Sequence, residues 1–157
     1  MKKEDLLGKE KTMTELEHKR KQRRKTTGED FTPIPLVEEM LDKLPEEVWI
    51  NPSKTFLDNS GGNGNFVVQV LKRKLKLEHP PLQALSTIFS VELMADNVEE
   101  MRDRMLQVLL EHHPNLDDAQ KAQAIDILNH NIVCHDALTW DYENWKSPAN
   151  PKAKSLF

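Results

Sequence analysis

Apolar residues fall into two periods along this chain. Leu36, Val37, Met40, Leu41 and Leu44 recur every three or four positions, which predicts a helix over about Pro35–Leu44. Pro35 suits the first turn of that helix. Phe66, Val67, Val70, Leu71 and Leu75 repeat the pattern and predict a helix over Phe66–Leu77, stopped by His79-Pro80-Pro81. Val98, Met101, Met105 and Leu109 mark the buried face of a third helix. Asp96 as N-cap with Glu99 three residues on predicts a capping box at its start, and Pro114-Asn115 breaks it. A further helix is expected over Asp117–Leu128, with Ala122, Ile125 and Leu128 turned inward. Between these lie three short apolar runs that read as strands: Thr55–Leu57, Thr87–Val91 and Ile132–Cys134. After Tyr142 the chain is polar and proline-broken, without periodicity.

Strands alternating with helices imply an α/β fold with a parallel sheet and right-handed crossovers. Only about three strands are evident. The expected architecture is therefore an incomplete parallel sheet flanked by helices, divided as a basic arm or helix over 1–26, a ligand-binding domain over 27–142 and a polar tail over 143–157. A sheet so small leaves an open edge, which is normally covered or paired. A second subunit or partner chain is expected there, and the chain reads as a fragment or one half of an assembly.

Composition narrows the picture. At 157 residues, 38% apolar and 31% charged, the chain suits one polar domain. No run approaches the roughly 18 apolar residues of a membrane span, and the charged N-terminus carries no secretory pattern. A single cysteine, Cys134, excludes an internal disulfide framework and fits a reducing, cytoplasmic setting. Cys134 itself reads as a buried strand residue. His112-His113 and His130 lack metal-ligand spacing, so no metal site is expected. Residues 1–27 hold 10 Lys and Arg against 5 Asp and Glu, a net of +5. The whole chain is −4, so the remainder carries −9. The run Lys19–Lys25 can hold DNA phosphates by charge, or can simply be a solvated tail.

The densest chemical signal is Asp58-Asn59-Ser60-Gly61-Gly62-Asn63-Gly64-Asn65-Phe66, where a strand ends in an acid and a glycine turn opens a helix. Such a turn receives nucleotide-like ligands at the carboxyl ends of parallel strands. Gly62 and Gly64 let the backbone approach a ligand closely. Asp58 points to a cationic or hydroxyl group rather than a phosphate. Neither G-x-x-x-x-G-K-[ST] nor G-x-G-x-x-G is present, Val67 standing where the last glycine of the second would be.

The neighbouring segments, in order, resemble the S-adenosylmethionine-dependent, adenine-specific DNA methyltransferases of restriction-modification systems. Thr27-Gly28-Glu29-Asp30-Phe31-Thr32-Pro33 is similar to that family's Gly-Glu-x-Phe/Tyr-Thr-Pro lid. The glycine turn is similar to its Asp-Pro-x-Cys-Gly-x-Gly-x-Phe loop. Phe89-Ser90-Val91-Glu92-Leu93 is similar to its second strand, and Cys134-His135-Asp136-Ala137-Leu138 to its third. The resemblance covers about residues 27–142. It implies a Rossmann-like methyltransferase fold and S-adenosylmethionine as cofactor. It further implies Phe31, Thr32 and Pro33 over the methionine end, and Asp58, Gly62, Gly64, Asn65 and Phe66 around the loop. Glu92 would take the ribose hydroxyls, with Asp136 and Ala137 at the adenine.

Two departures stand out. Asn59 and Gly61 replace the usual Pro and Cys, which is expected to loosen the turn. The family's catalytic Asn/Asp-Pro-Pro-Tyr/Phe element is absent, Asn150-Pro151-Lys152-Ala153 sharing only its first pair. The expected function is the cofactor half of an adenine methyltransferase. The alternative is an inactive remnant or decoy that binds cofactor or a protein partner. The cofactor half does not report whether the acceptor is DNA, RNA or protein. Trp140, Tyr142 and Trp145 can stack on a flipped base, though capping the open sheet is the favoured expectation. His135 and Asp136 are not expected to form an acid–base pair, because adjacent strand residues face opposite ways.

Overall fold

The computed structural model describes residues 17–18 and 31–148. The Lys19–Lys25 run and Asn150-Pro151 lie outside the described residues. A compact unit begins at Thr32. Its elements in chain order are α1 (Ile34–Asp42), α2 (Glu47–Ile50), β1 (Phe56–Asp58), α3 (Asn65–Lys76), α4 (Pro81–Ser86), β2 (Ile88–Glu92), α5 (Ala95–His112), α6 (Asp118–Asn131) and β3 (Ile132–Cys134).

The three strands form a parallel sheet in the order β1-β2-β3, with Phe56 opposite Ile88 and Ser90 opposite Ile132. The α/β class and the three-stranded parallel sheet match the sequence reading. The two short helices α2 and α4 do not. Each is a turn or so of helix beginning beside a proline, too short to show a periodic stripe.

Consecutive parallel strands lying side by side send their right-handed crossovers to the same face of the sheet. Phe56, Ile88, Ser90 and Ile132 point to that face by strand alternation, and Lys74 of α3 and Met101 of α5 meet it. The core lies there: Val67, Val70, Leu71 and Leu75 of α3 pack with Val98, Met101, Met105 and Leu109 of α5, as the periodicity requires. Phe66 is only half-buried. On the opposite face Leu57 is 49% exposed, and Phe89 packs edge-on against Trp145 with centroids 4.9 Å apart.

The segment after Asp136 is more ordered than its polarity predicts. Asp141 and Lys146 form an antiparallel bridge. Trp140 and Trp145 meet edge to face, and the Trp145 indole N–H donates to the His130 carbonyl at 2.8 Å. Trp145 thus covers Phe89 of the central strand on the second sheet face, while Trp140 and Tyr142 pack on Trp145.

Several local expectations are corrected. α1 buries only Val37 and Leu41, while Leu36, Met40 and Leu44 remain substantially exposed. A helix packed along one side needs only one stripe, and the second stripe here lacks a neighbour among the described residues. In α6 Leu128 is buried as expected, but Ala124 joins it where Ala122 and Ile125 were expected, and those two are exposed. α5 starts at Ala95 with Met94 as N-cap, so the Asp96/Glu99 capping box does not form. The box forms one helix later: Asp117 Oδ1 accepts from Gln120 N–H, and the Gln120 side chain accepts from Asp117 N–H. Asp117→Ala should therefore lower unfolding free energy by about 1 kcal/mol, measured by urea denaturation. A variant as stable as wild type would overturn this assignment. Cys134 is exposed rather than buried, its Sγ 3.4 Å from the Leu93 carbonyl.

Candidate functional site

Asp58 and Glu92 end neighbouring strands, so the parallel register brings both carboxylates to the same edge of the sheet. The glycine turn lies between them. Gly61 N–H donates to the Val91 carbonyl at 3.2 Å, and Gly64 N–H closes the turn onto the Gly61 carbonyl at 3.0 Å. Gly62 and Gly64 both have positive φ, 55° and 95°, a region side chains with a Cβ disfavour.

The turn is tight, not loose. A Cβ at Gly61 would lie 2.2 Å from Ser90 Oγ and 2.6 Å from Met101 Cε, and one at Gly64 would lie 2.8 Å from Met101 Cγ. The third glycine, expected to loosen the turn, instead lets it press onto β2 and α5. Ser90 cannot turn away freely, because its hydroxyl donates to the Asp58 carbonyl at 2.8 Å.

Glu92 organises the turn. Its Oε1 accepts from Gly62 N–H at 3.1 Å, and its Oε2 accepts from Met94 N–H at 2.7 Å and the Asn97 side chain at 3.3 Å. A carboxylate has about four acceptor directions, so three are already engaged and one is left for a ligand. A role toward two vicinal hydroxyls therefore requires exchange of a bond it now makes.

Asp58 is differently placed. Among the described residues its side chain accepts one bond, from Ser60 N–H at 3.1 Å. Burial raises its pKa, the Ser60 bond lowers it, and the nearby Glu92 charge raises it, for a net upward shift. An acid with a raised folded pKa stabilises the fold below its unfolded value of about 4. That contribution is lost as pH rises through the folded pKa, so the ionised Asp58 is held at a cost. A cationic or hydroxyl group on a ligand would relieve it.

Asn65 and Thr32 are brought together, and residues not foreseen from the sequence hold them. Arg104 Nη1 donates to the Asn63 carbonyl at 2.8 Å and to Asn65 Oδ1 at 3.0 Å. Asn65 Nδ2 in turn donates to the Thr32 carbonyl at 2.9 Å. One cation on α5 thus ties the turn to the Thr32-Pro33 segment. Arg104 was illegible in sequence because it is one charge among many on an amphipathic helix. Asn63 Oδ1 is buried with no hydrogen-bond partner among the described residues. It is an unused acceptor inside the turn.

Pro33 is the residue preceding α1 and Phe66 is half-buried in the first turn of α3. Phe31 is half-buried and lies just outside the unit that begins at Thr32. Asp136 heads a turn after β3: its Oδ1 accepts from Leu138 N–H at 2.9 Å, and its carbonyl accepts from Thr139 and Trp140 N–H. Ala137 is half-buried beside it, its carbonyl accepting from the Tyr142 hydroxyl at 2.8 Å. His135 pairs with Thr139 Oγ1 at 3.1 Å. No helix among the described residues is long and apolar enough to cross a membrane. No protein-family model, no curated protein and no solved structure matches this chain.

Proposed function

We propose that the chain is a S-adenosylmethionine-binding, methyltransferase-like protein, equivalent to the Rossmann-like cofactor half of an adenine-specific DNA methyltransferase. The observation that carries this reading is the glycine turn ordered by Glu92 beside a half-buried, under-paired Asp58 at the carboxyl edge of a parallel sheet. The chemistry of the residues present suits that cofactor. Asp58 and Asn63 Oδ1 are acceptors in want of donors, and the cofactor carries an ammonium and two ribose hydroxyls. The turn has no side chain where Gly62 and Gly64 approach.

In this reading Asp58 and Asn63 receive donors, Gly62 and Gly64 supply backbone surface, and Asn65 with Thr32 and Pro33 closes one side. Asp136 and Ala137 stand at the end of the neighbouring strand. When bound, the cofactor supplies an electrophilic methyl group. The protein's own contribution is orientation, which governs the rate of such a transfer.

Calorimetry with S-adenosylmethionine and its demethylated product tests the reading. Asp58→Ala should weaken binding by about 1–3 kcal/mol, the penalty for leaving ligand donors unpaired. It should not lower the stability of the ligand-free protein near neutral pH, since the ionised Asp58 is costly there. Equal affinity of wild type and variant would remove the role given to Asp58, and no binding by either would sink the reading.

A second reading is a non-catalytic binder of cofactor or of a protein partner. It is favoured by the absence from the sequence of an Asn/Asp-Pro-Pro-aromatic element to hold an acceptor base. Labelled methyl transfer to DNA, assayed with the chain alone and with a candidate second subunit, separates the two. Incorporation by the chain alone, lost on Asp58→Ala, would reject the non-catalytic reading.

A further inference from the structure

A cleft of about 600 Å³ runs along α3 from Gln69 to the helix's C-terminal end, and none of its lining residues belongs to the glycine turn. Its walls are Glu38, Trp49, Gln69, Lys72, Arg73, Lys76 and Leu77. The α3 residues stand at spacings of three and four, so they share one helical face.

The cations in this cleft are unequal. Arg73 is neutralised, its guanidinium 2.6 Å from Glu38 Oε2 and 2.7 Å from Asp42 Oδ1. Those two acids fix it over the Trp49 ring at 5.4 Å. Phe56 packs on the same indole at 5.0 Å, tilted by 30°. Lys72 and Lys76 are exposed and have no ion pair or hydrogen bond among the described residues. Favourable placement near the helix C-terminus accounts for cations in this last turn. It does not account for Gln69. That residue is 7% exposed and lines the cleft. Its amide is not among the buried polar atoms left without a partner, so it opens to the cleft as a donor–acceptor pair that a ligand can take in place of water.

We propose that this cleft is a second binding site, independent of the glycine turn, that takes a nucleotide unit. The volume falls in the range of small-molecule sites, roughly 300–1,000 Å³. Lys72 and Lys76, one turn apart, hold the phosphate. The Arg73 guanidinium, held in place by two carboxylates, offers a delocalised surface for the base to stack on. Gln69 presents the paired donor and acceptor that a base edge matches. An anion without such an edge would leave Gln69 unused. The unit can be a free nucleotide or one residue of a single strand, since both carry this chemistry.

The test is a titration of the full chain, followed by the backbone, Gln69 side-chain and tryptophan indole N–H resonances. The probes are adenosine monophosphate, inorganic phosphate and a short single-stranded oligodeoxynucleotide. Adenosine monophosphate should shift the Trp49 indole and Gln69 amide signals and bind more tightly than phosphate. Lys72→Glu combined with Lys76→Glu should weaken it about tenfold or more. Gln69→Leu should weaken the mononucleotide but not phosphate, while the fold, read from the remaining resonances, is kept. An oligonucleotide that binds more tightly than the mononucleotide identifies a single strand as the source; equal affinity identifies the free nucleotide. The proposal is overturned if millimolar mononucleotide leaves Trp49 and Gln69 unmoved, if phosphate binds as well, or if the shifts map only to Gly61–Asn65.

Discussion

Replacing Gly64 with alanine is expected to lower unfolding free energy by about 2–4 kcal/mol, from positive-φ strain and core overpacking together. Gly64 sits at φ 95°, and its new Cβ would meet Met101 Cγ at 2.8 Å and the Met101 backbone Cα at 3.3 Å. A side chain can swing aside; a helix backbone cannot without moving α5. The coupling is testable by a double-mutant cycle. Met101 is fully buried, so Met101→Ala alone should cost about 2–5 kcal/mol. In the Gly64→Ala background it should cost less by about 1 kcal/mol, because it removes the clash. Denaturant unfolding of the four proteins gives the numbers. A Gly64→Ala protein within experimental error of wild type would show that the turn is not fixed by this contact.

Stability should rise as pH is raised from about 8 toward 10, and Lys74→Met should abolish the rise. Lys74 is fully buried beneath the sheet. Its Nζ donates to Thr87 Oγ1 at 2.7 Å and to the Lys54 carbonyl at 2.9 Å, and lies 4.9 Å from the Phe56 ring centre. No carboxylate is among these partners, so burial lowers its pKa from 10.5 to about 8. Below the folded value both states are protonated and the cost of burying the charge is present in full. Between the folded and unfolded values the unfolded chain binds the extra proton, so stability rises with pH. The difference amounts to about 3 kcal/mol. Lys74→Met keeps the volume, loses two hydrogen bonds worth about 1 kcal/mol each, and removes the charge. It should be at least as stable as wild type near neutral pH, with a flat profile up to about pH 10. A variant that keeps the alkaline rise would place its origin in another group.

The strands and long helices were legible because their signals are local. Ile132–Cys134 is an apolar run between a helix and an acid, and Val98, Met101, Met105 and Leu109 keep one face over three turns. The glycine turn was legible for the same reason: Asp58, Gly62 and Gly64 are contiguous. The N-cap of α5 was misplaced because its start is set by a long-range partner. Glu92 binds Met94 N–H while also binding Gly62 N–H, thirty positions away. On α6 the period correctly turns Leu128 inward, but Ala122 and Ile125 satisfy it as well as Ala124 does, and only packing selects Ala124.

By itself the sequence determined the α/β order, the parallel sheet, the core faces of α3 and α5 and the position of the glycine turn. Each rests on residue periodicity or on glycine's freedom at a short turn. Tertiary structure alone decided the rest. It turned Gly61 from a loosening residue into a packing requirement, and made Glu92 an organiser of the turn. It set Arg104 across to Asn63 and Asn65, sealed Lys74 under the sheet, and left Gln69 facing a cleft. These depend on which surfaces meet, and such meetings join residues separated by tens of positions, for which the local pattern carries no signal.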